Sequence, residues 1–185
     1  MALLKGGAGG DFDYTAGVNV DGQLLVKSES QSHDRELADQ GFVWSLPFSK
    51  TPTGAGDHFF YIKNTGTVEL HITDIRIHSA SAETYTIQKV TGTPSGGTTL
   101  VPVNRNLGSS KIPTATIEEG VDITGLTTGG IIFHMTTDTA NRIEHLRTTS
   151  NIHLPQGTAC VITAGTGAVA LVGMVSIVAD PSSGG

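Results

Sequence analysis

From Phe42 to Ala179 the apolar residues fall in short runs, many alternating with polar ones, and Gly, Pro, Asn or Asp punctuates each run. Period-two alternation over four to eight residues is the mark of half-buried strands. The segments read as strands are 42–46 (ending near Pro47), 57–63, 68–78, 84–90, 100–103, 115–119, 121–123, 131–135, 151–154, 158–164 and 168–179. Within Val68–His78, Leu70 and Ile72 share one parity, whereas Ile75 and Ile77 share the other. One inserted residue switches faces, so a bulge or sheet crossing is expected at Thr73 or Asp74.

The stretch Tyr85–Asn106 reads as two extended arms around an exposed loop. Gly92, Pro94, Gly96 and Gly97 interrupt the chain between them. Pro102 lacks the amide proton of a central strand, so the returning arm reads as an edge. Residues 138–149 alternate poorly and read as an extended segment or a short turn of helix.

The N-terminal part differs. Residues 1–17 form a flexible Gly-rich arm with four apolar anchors, Leu3, Leu4, Phe12 and Tyr14, and read either as disordered or as ordering against a partner. Val18–Val26 reads as a hairpin turning at Asp21-Gly22. Ser32–Gln40 is the one plausible helix. The expected organisation is an arm (1–17), a single β domain (18–179) and a flexible tail (180–185). Strands at this spacing indicate an all-β fold, and a jelly-roll-like antiparallel β-sandwich is the first choice. No repeat of propeller or solenoid length stands out.

The totals agree with one domain. The chain has 185 residues, enough to bury roughly 70% of the surface its unfolded form exposes. Twenty-four glycines and many threonines favour strands and turns over helices. A net charge of -6 argues against nucleic acid, which requires clustered Lys and Arg. The most apolar run, Ala168–Ala179, is shorter than the ~20 residues of a spanning helix, so no membrane is expected. The opening Met-Ala-Leu-Leu-Lys has too short an apolar run for a signal peptide, and synthesis in the cytoplasm without export is expected.

The candidate chemistry is sparse. Cys160 stands alone in an apolar run and reads as a small buried hydrophobe. The histidines are scattered: His71, His78, His134, His145 and His153 form no His-x-His pair, so neither a metal nor another cofactor is expected. Histidines at a shared interface would make assembly pH-sensitive; equal oligomer mass at pH 5 and pH 8 would contradict that. Thr91–Thr98 lacks the Gly-Lys-Ser/Thr ending of a phosphate loop. Glu118 and Glu119 are strand neighbours and point to opposite faces. No Ser/His/Asp arrangement is visible, and Trp44 and Tyr61 read as core or interface residues. No catalytic residue, and hence no enzyme, is expected.

The stretch Tyr85-Thr-Ile-Gln-Lys-Val-Thr-Gly-Thr-Pro-Ser-Gly-Gly-Thr-Thr-Leu-Val-Pro-Val-Asn-Arg-Asn106 resembles a group of tailed-bacteriophage virion proteins. The Asp21-Gly22-Gln23-Leu24 turn, the strand Phe59–Asn64 and the turn Leu154-Pro155-Gln156-Gly157 fit the same likeness, which covers residues 18–178. The resemblance implies a capsid decoration (cement) protein: a jelly-roll domain, commonly trimeric, on the outer shell. Its partners would be copies of itself and the major capsid protein, and its location the virion surface. Deleting residues 1–17 would then weaken capsid binding while leaving the domain folded. Competing expectations are a carbohydrate- or host-receptor-binding module of a tail or head fibre, and a cupin-type enzyme; scarce aromatics and the missing His-x-His argue against them.

Overall fold

The computed structural model describes the backbone of residues 4–5, 12–18, 24–30 and 33–181, and the side chains of 35–141, 143–146 and 152–181. The first three strands, β1 (Leu4–Lys5), β2 (Phe12–Val18) and β3 (Leu24–Ser30), form an antiparallel sheet of their own. The hairpin of β2 and β3 is longer than the pattern suggests: it begins at Phe12, inside the segment read as an arm, and pairs Val18 with Leu24. Its expected turn, Asp21-Gly22, lies outside the described residues, as do Leu3 and the tail beyond Pro181.

A short helix, α1 (His33–Asp39), precedes the sandwich. It ends in a six-residue cap: Phe42 N–H donates to Leu37 O at 2.8 Å and Gly41 N–H to Ala38 O at 3.0 Å, with Gly41 at a φ of 78°. The left-handed cap residue is one that glycine adopts without strain. Leu37 is buried against Val43 and Val178, which fixes the helix on one sheet.

The remaining strands are β4 (Val43–Lys50), β5 (His58–Asn64), β6 (Leu70–Ser79), β7 (Glu83–Ser95), β8 (Thr98–Thr99), β9 (Val103–Asn104), β10 (Ala115–Glu119), β11 (Thr124–Thr137), β12 (Arg142–Leu154), β13 (Ala159–Ala164) and β14 (Leu171–Ala179). They make two antiparallel sheets, ordered β11-β7-β13-β5-β10-β8 and β12-β6-β14-β4-β9. The all-β sandwich expected from the sequence is therefore the fold. Pairing is nested: β7 with β11, β6 with β12, β5 with β13, β4 with β14. Each closer pair along the chain lies inside the next, like a long hairpin rolled onto itself.

One core fills the space between the sheets. Trp44, Leu46, Phe48, Leu70, Ile72, Ile75, Ile77, Val175 and Ile177 pack from one side against Phe59, Phe60, Ile62, Tyr85, Ile87, Ile117 and Ile162 from the other. Phe48 lies 5.5 Å from Phe59 and 5.9 Å from Phe60, centroid to centroid, within the range of favourable tilted aromatic pairs. Gly173 makes room for Phe48: a Cβ there would lie 2.4 Å from the Phe48 ring. The parity change in β6 is a bulge at Thr73. Asp74 pairs with Ser176 but Ile72 with Ile177, so one residue is skipped and Leu70, Ile72, Ile75 and Ile77 all reach the core.

Three expectations need correction. Pro47 does not end its strand, because β9 covers β4 only at Trp44 and Ser45; beyond them β4 is an edge, where a missing amide costs no ladder bond on the open side. The arms of 85–106 do not pair with each other. β7 continues through Gly92 and Pro94 to Ser95 beside β11, and the returning arm crosses over, β8 pairing with β10 and β9 with β4. Gly92 and Gly125 permit the continuation: φ is 106° and 77°, and a Cβ at Gly92 would sit 2.6 Å from the Gly125 carbonyl. Of the two readings of 138–149, the extended one holds from Arg142 on, where β12 begins; the third correction is to 121–123. Val121 and Asp122 bend rather than pair, although Ile123 is fully buried.

Candidate functional site

The connection from Leu100 to Pro113 lies within the innermost nested pair, between β7 and β11, and carries only β9 as regular structure. It is pinned to the sandwich by polar groups. Asn104 Nδ2 donates to Gly41 O at 2.9 Å and to Lys111 O at 3.0 Å. Asn106 Nδ2 donates to Asp39 O at 2.6 Å, and Lys111 Nζ to Gln40 O at 2.9 Å. Arg105 binds Ser45 Oγ at 3.1 Å and also Ser176 Oγ. Trp44, buried in the core, donates its indole N–H to Lys111 O at 3.0 Å, and Lys111 Nζ lies 3.6 Å over the Phe42 ring.

Leu100 and Pro113, at the two ends of this connection, are buried, but four aliphatic residues between them face the other way. Val101 is 77% exposed, Leu107 91% and Ile112 79%, with Val103 about half exposed. The usual arrangement is inverted: polar side chains hold the loop and aliphatic ones meet water. Ile112 also lines a recess of about 230 Å³ with Phe42, Trp44, Val68 and Pro113. Exposed aliphatics are ordinary when scattered singly, and mark a surface that another protein covers where they join into one patch.

The second feature lies on the outer face of the five-stranded sheet. Glu69, the residue just before β6, and His71, the second residue of β6, lie two apart in the chain, and their side chains meet. His153 on β12 is the direct cross-strand partner of His71. The two imidazoles lie 4.4 Å apart, centroid to centroid. Glu69 Oε2 is 3.6 Å from His71 Nε2, and its Oε1 is 3.3 Å from His153 Nδ1. His71 is the most enclosed of the three, and its Nε2 is buried without a hydrogen bond. Burial, and then His153, hold His71 below the usual histidine pKa, while Glu69 and Asp180 pull the other way. Further along the same face, Asp74 meets His145 Nε2 at 2.5 Å and Arg76 Nε at 2.9 Å.

The histidines that are scattered in sequence are thus partly gathered. A search for His-x-His passes over Glu69-x-His71. The usable signal is a repeated pattern: Leu70-His71-Ile72 and Ile152-His153-Leu154 each set a histidine between two core residues, so both must face outward.

The remaining candidates fall apart or take structural roles. Cys160 is buried, and burial pushes its thiol pKa up to about 12. Glu119 pairs with Lys50 at 3.1 Å across the two sheets. Tyr61 and Trp44 are both core residues. Of the anchors, Leu4 pairs with Ala16, Phe12 with Ser30 and Tyr14 with Ser28, all within the N-terminal sheet. Among the described residues no helix is long and apolar enough to cross a membrane. No family model, curated protein or solved structure matches the chain.

Proposed function

We propose that this protein is a non-enzymatic virion structural protein that oligomerises, in threes, and binds the outer capsid shell of a tailed phage as a decoration protein. The observation that carries the reading is the inverted loop. Val101, Val103, Leu107 and Ile112 are held in solvent by a connection whose polar side chains are committed to the sandwich. A loop without a partner would gain by the opposite arrangement. The nested strand pairing supports the jelly-roll form that goes with this role. The separate sheet of β1, β2 and β3 supplies a second element able to engage a neighbour, and several such elements on one oligomer bind by avidity.

The test is the molar mass of the purified full-length chain in solution. Light scattering is expected to give about three times the 19.2 kDa of one chain. A mass of one chain, unchanged up to high concentration, would contradict the trimer.

A further inference from the structure

We propose that Glu69, His71 and His153 form a binding site for a divalent transition ion of the zinc class. The first ground is placement. Glu69 just before β6, His71 on it and His153 directly opposite His71 on β12 bring one carboxylate and two imidazoles together, with one ligand atom of each within 4.8 Å of the others. The second is spacing. Ligand atoms bound at 2.0–2.1 Å around a tetrahedral ion sit about 3.3 Å apart. Each carboxylate oxygen stands near that separation from one ring nitrogen, Oε1 at 3.3 Å from His153 Nδ1 and Oε2 at 3.6 Å from His71 Nε2, so the carboxylate spans both imidazoles.

The third ground is an unmet need. His71 Nε2 is buried and has no hydrogen bond, and Glu69 Oε2 at 3.6 Å is too distant to supply one. An ion between these atoms would satisfy the nitrogen and the carboxylate together. Two imidazoles with one carboxylate select a borderline dication such as zinc over magnesium or calcium, which prefer all-oxygen sites. His153 is about half exposed, so remaining positions on the ion would be open to water or to a donor from another molecule.

The site has a structural consequence. β12 is the outermost strand of its sheet, and its register with β6 shifts between Arg147 and Ile152. His153 is the second paired residue after that irregularity. An ion shared by His153, His71 and Glu69 would rivet the edge strand to β6 where its pairing resumes.

Untagged protein, first stripped with a chelator, would be titrated with zinc chloride by calorimetry, with magnesium chloride as control. One zinc per chain and no magnesium binding are expected. His153→Ala and Glu69→Gln should each weaken zinc binding by at least about tenfold, since even an outer-shell partner's loss costs that much. His145→Ala, which removes the Asp74 partner instead, should bind as the parent does. Zinc should also raise the thermal midpoint of the parent and of His145→Ala, but not that of His153→Ala. Absence of zinc binding, or parent-like affinity in both ligand variants, would overturn the proposal and leave an ordinary ion pair.

Discussion

Glu83 holds Thr166 with both of its carboxylate oxygens: Oε1 accepts the Thr166 amide at 2.8 Å, and Oε2 accepts the Thr166 hydroxyl at 2.6 Å. The amides of Thr84 and Gly167 also donate to this carboxylate, at 2.8 Å and 3.2 Å. Glu83 is only 3% exposed, yet four donors satisfy it. It ties the first residue of β7 to the turn between β13 and β14. Glu83→Ala would leave three backbone amides without this acceptor. The expected cost is about 3 kcal/mol in denaturant unfolding, and Glu83→Gln should cost less. A loss below about 0.5 kcal/mol for the alanine variant would mean that the turn is held by something else.

His58 gives the fold a definite pH dependence. Its Nδ1 lies 2.8 Å from Thr163 Oγ1, and burial lowers its pKa below the free value of 6.5, against the opposing fields of Asp122 and Asp57. The folded chain therefore takes up this proton later than the unfolded chain as pH falls. The contribution of His58 is complete above the unfolded pKa and is lost as pH drops through the folded one. Unfolding midpoints measured from pH 7.5 to pH 5 should decline, and decline less for His58→Gln. An equal slope in the variant would remove His58 from the account.

Cys160 should be inert. Its thiol is buried and its pKa is pushed up to about 12, so almost none is thiolate at neutral pH. Iodoacetamide should leave the native protein unmodified at pH 8 and label it in denaturant. Rapid native labelling would contradict the burial.

Leu107 and Ile112 separate assembly from folding. Both side chains are largely in water, so Leu107→Asp and Ile112→Asp should shift stability by no more than about 0.5 kcal/mol. If the inverted loop forms the interface, the same changes should lower the oligomer's mass in solution or its binding to shells. Variants that assemble as the parent does would move the interface elsewhere.

How much of this was legible in the sequence depends on the range of the information. The Thr73 bulge was readable because four isoleucine and leucine positions record the parity change within eight residues. α1 and β10 were readable for the same local reason. Pro47 misled, because whether a strand is an edge depends on β9, more than fifty residues away in the chain. Gly92 and Pro94 misled similarly, since both lie inside β7, whereas Gly96 and Gly97 do interrupt the chain between β7 and β8; Gly92 meets Gly125 across a ribbon, and a single glycine looks the same in a ribbon as in a loop. The metal candidate was hidden because His71 and His153 meet only through cross-strand register, which local spacing does not encode. The inverted loop could not be read either. Asn104, Arg105 and Asn106 look like ordinary loop residues until their partners on α1, β4 and β14 are known.

The most direct test of the central claim is co-sedimentation with shells. Under the proposed decoration role, tailed-phage heads lacking this protein would be mixed with the purified chain and pelleted. The account predicts saturable binding in a fixed ratio to the major capsid protein, lost or weakened in Leu107→Asp. Protein that stays in the supernatant at every concentration would contradict the decoration role.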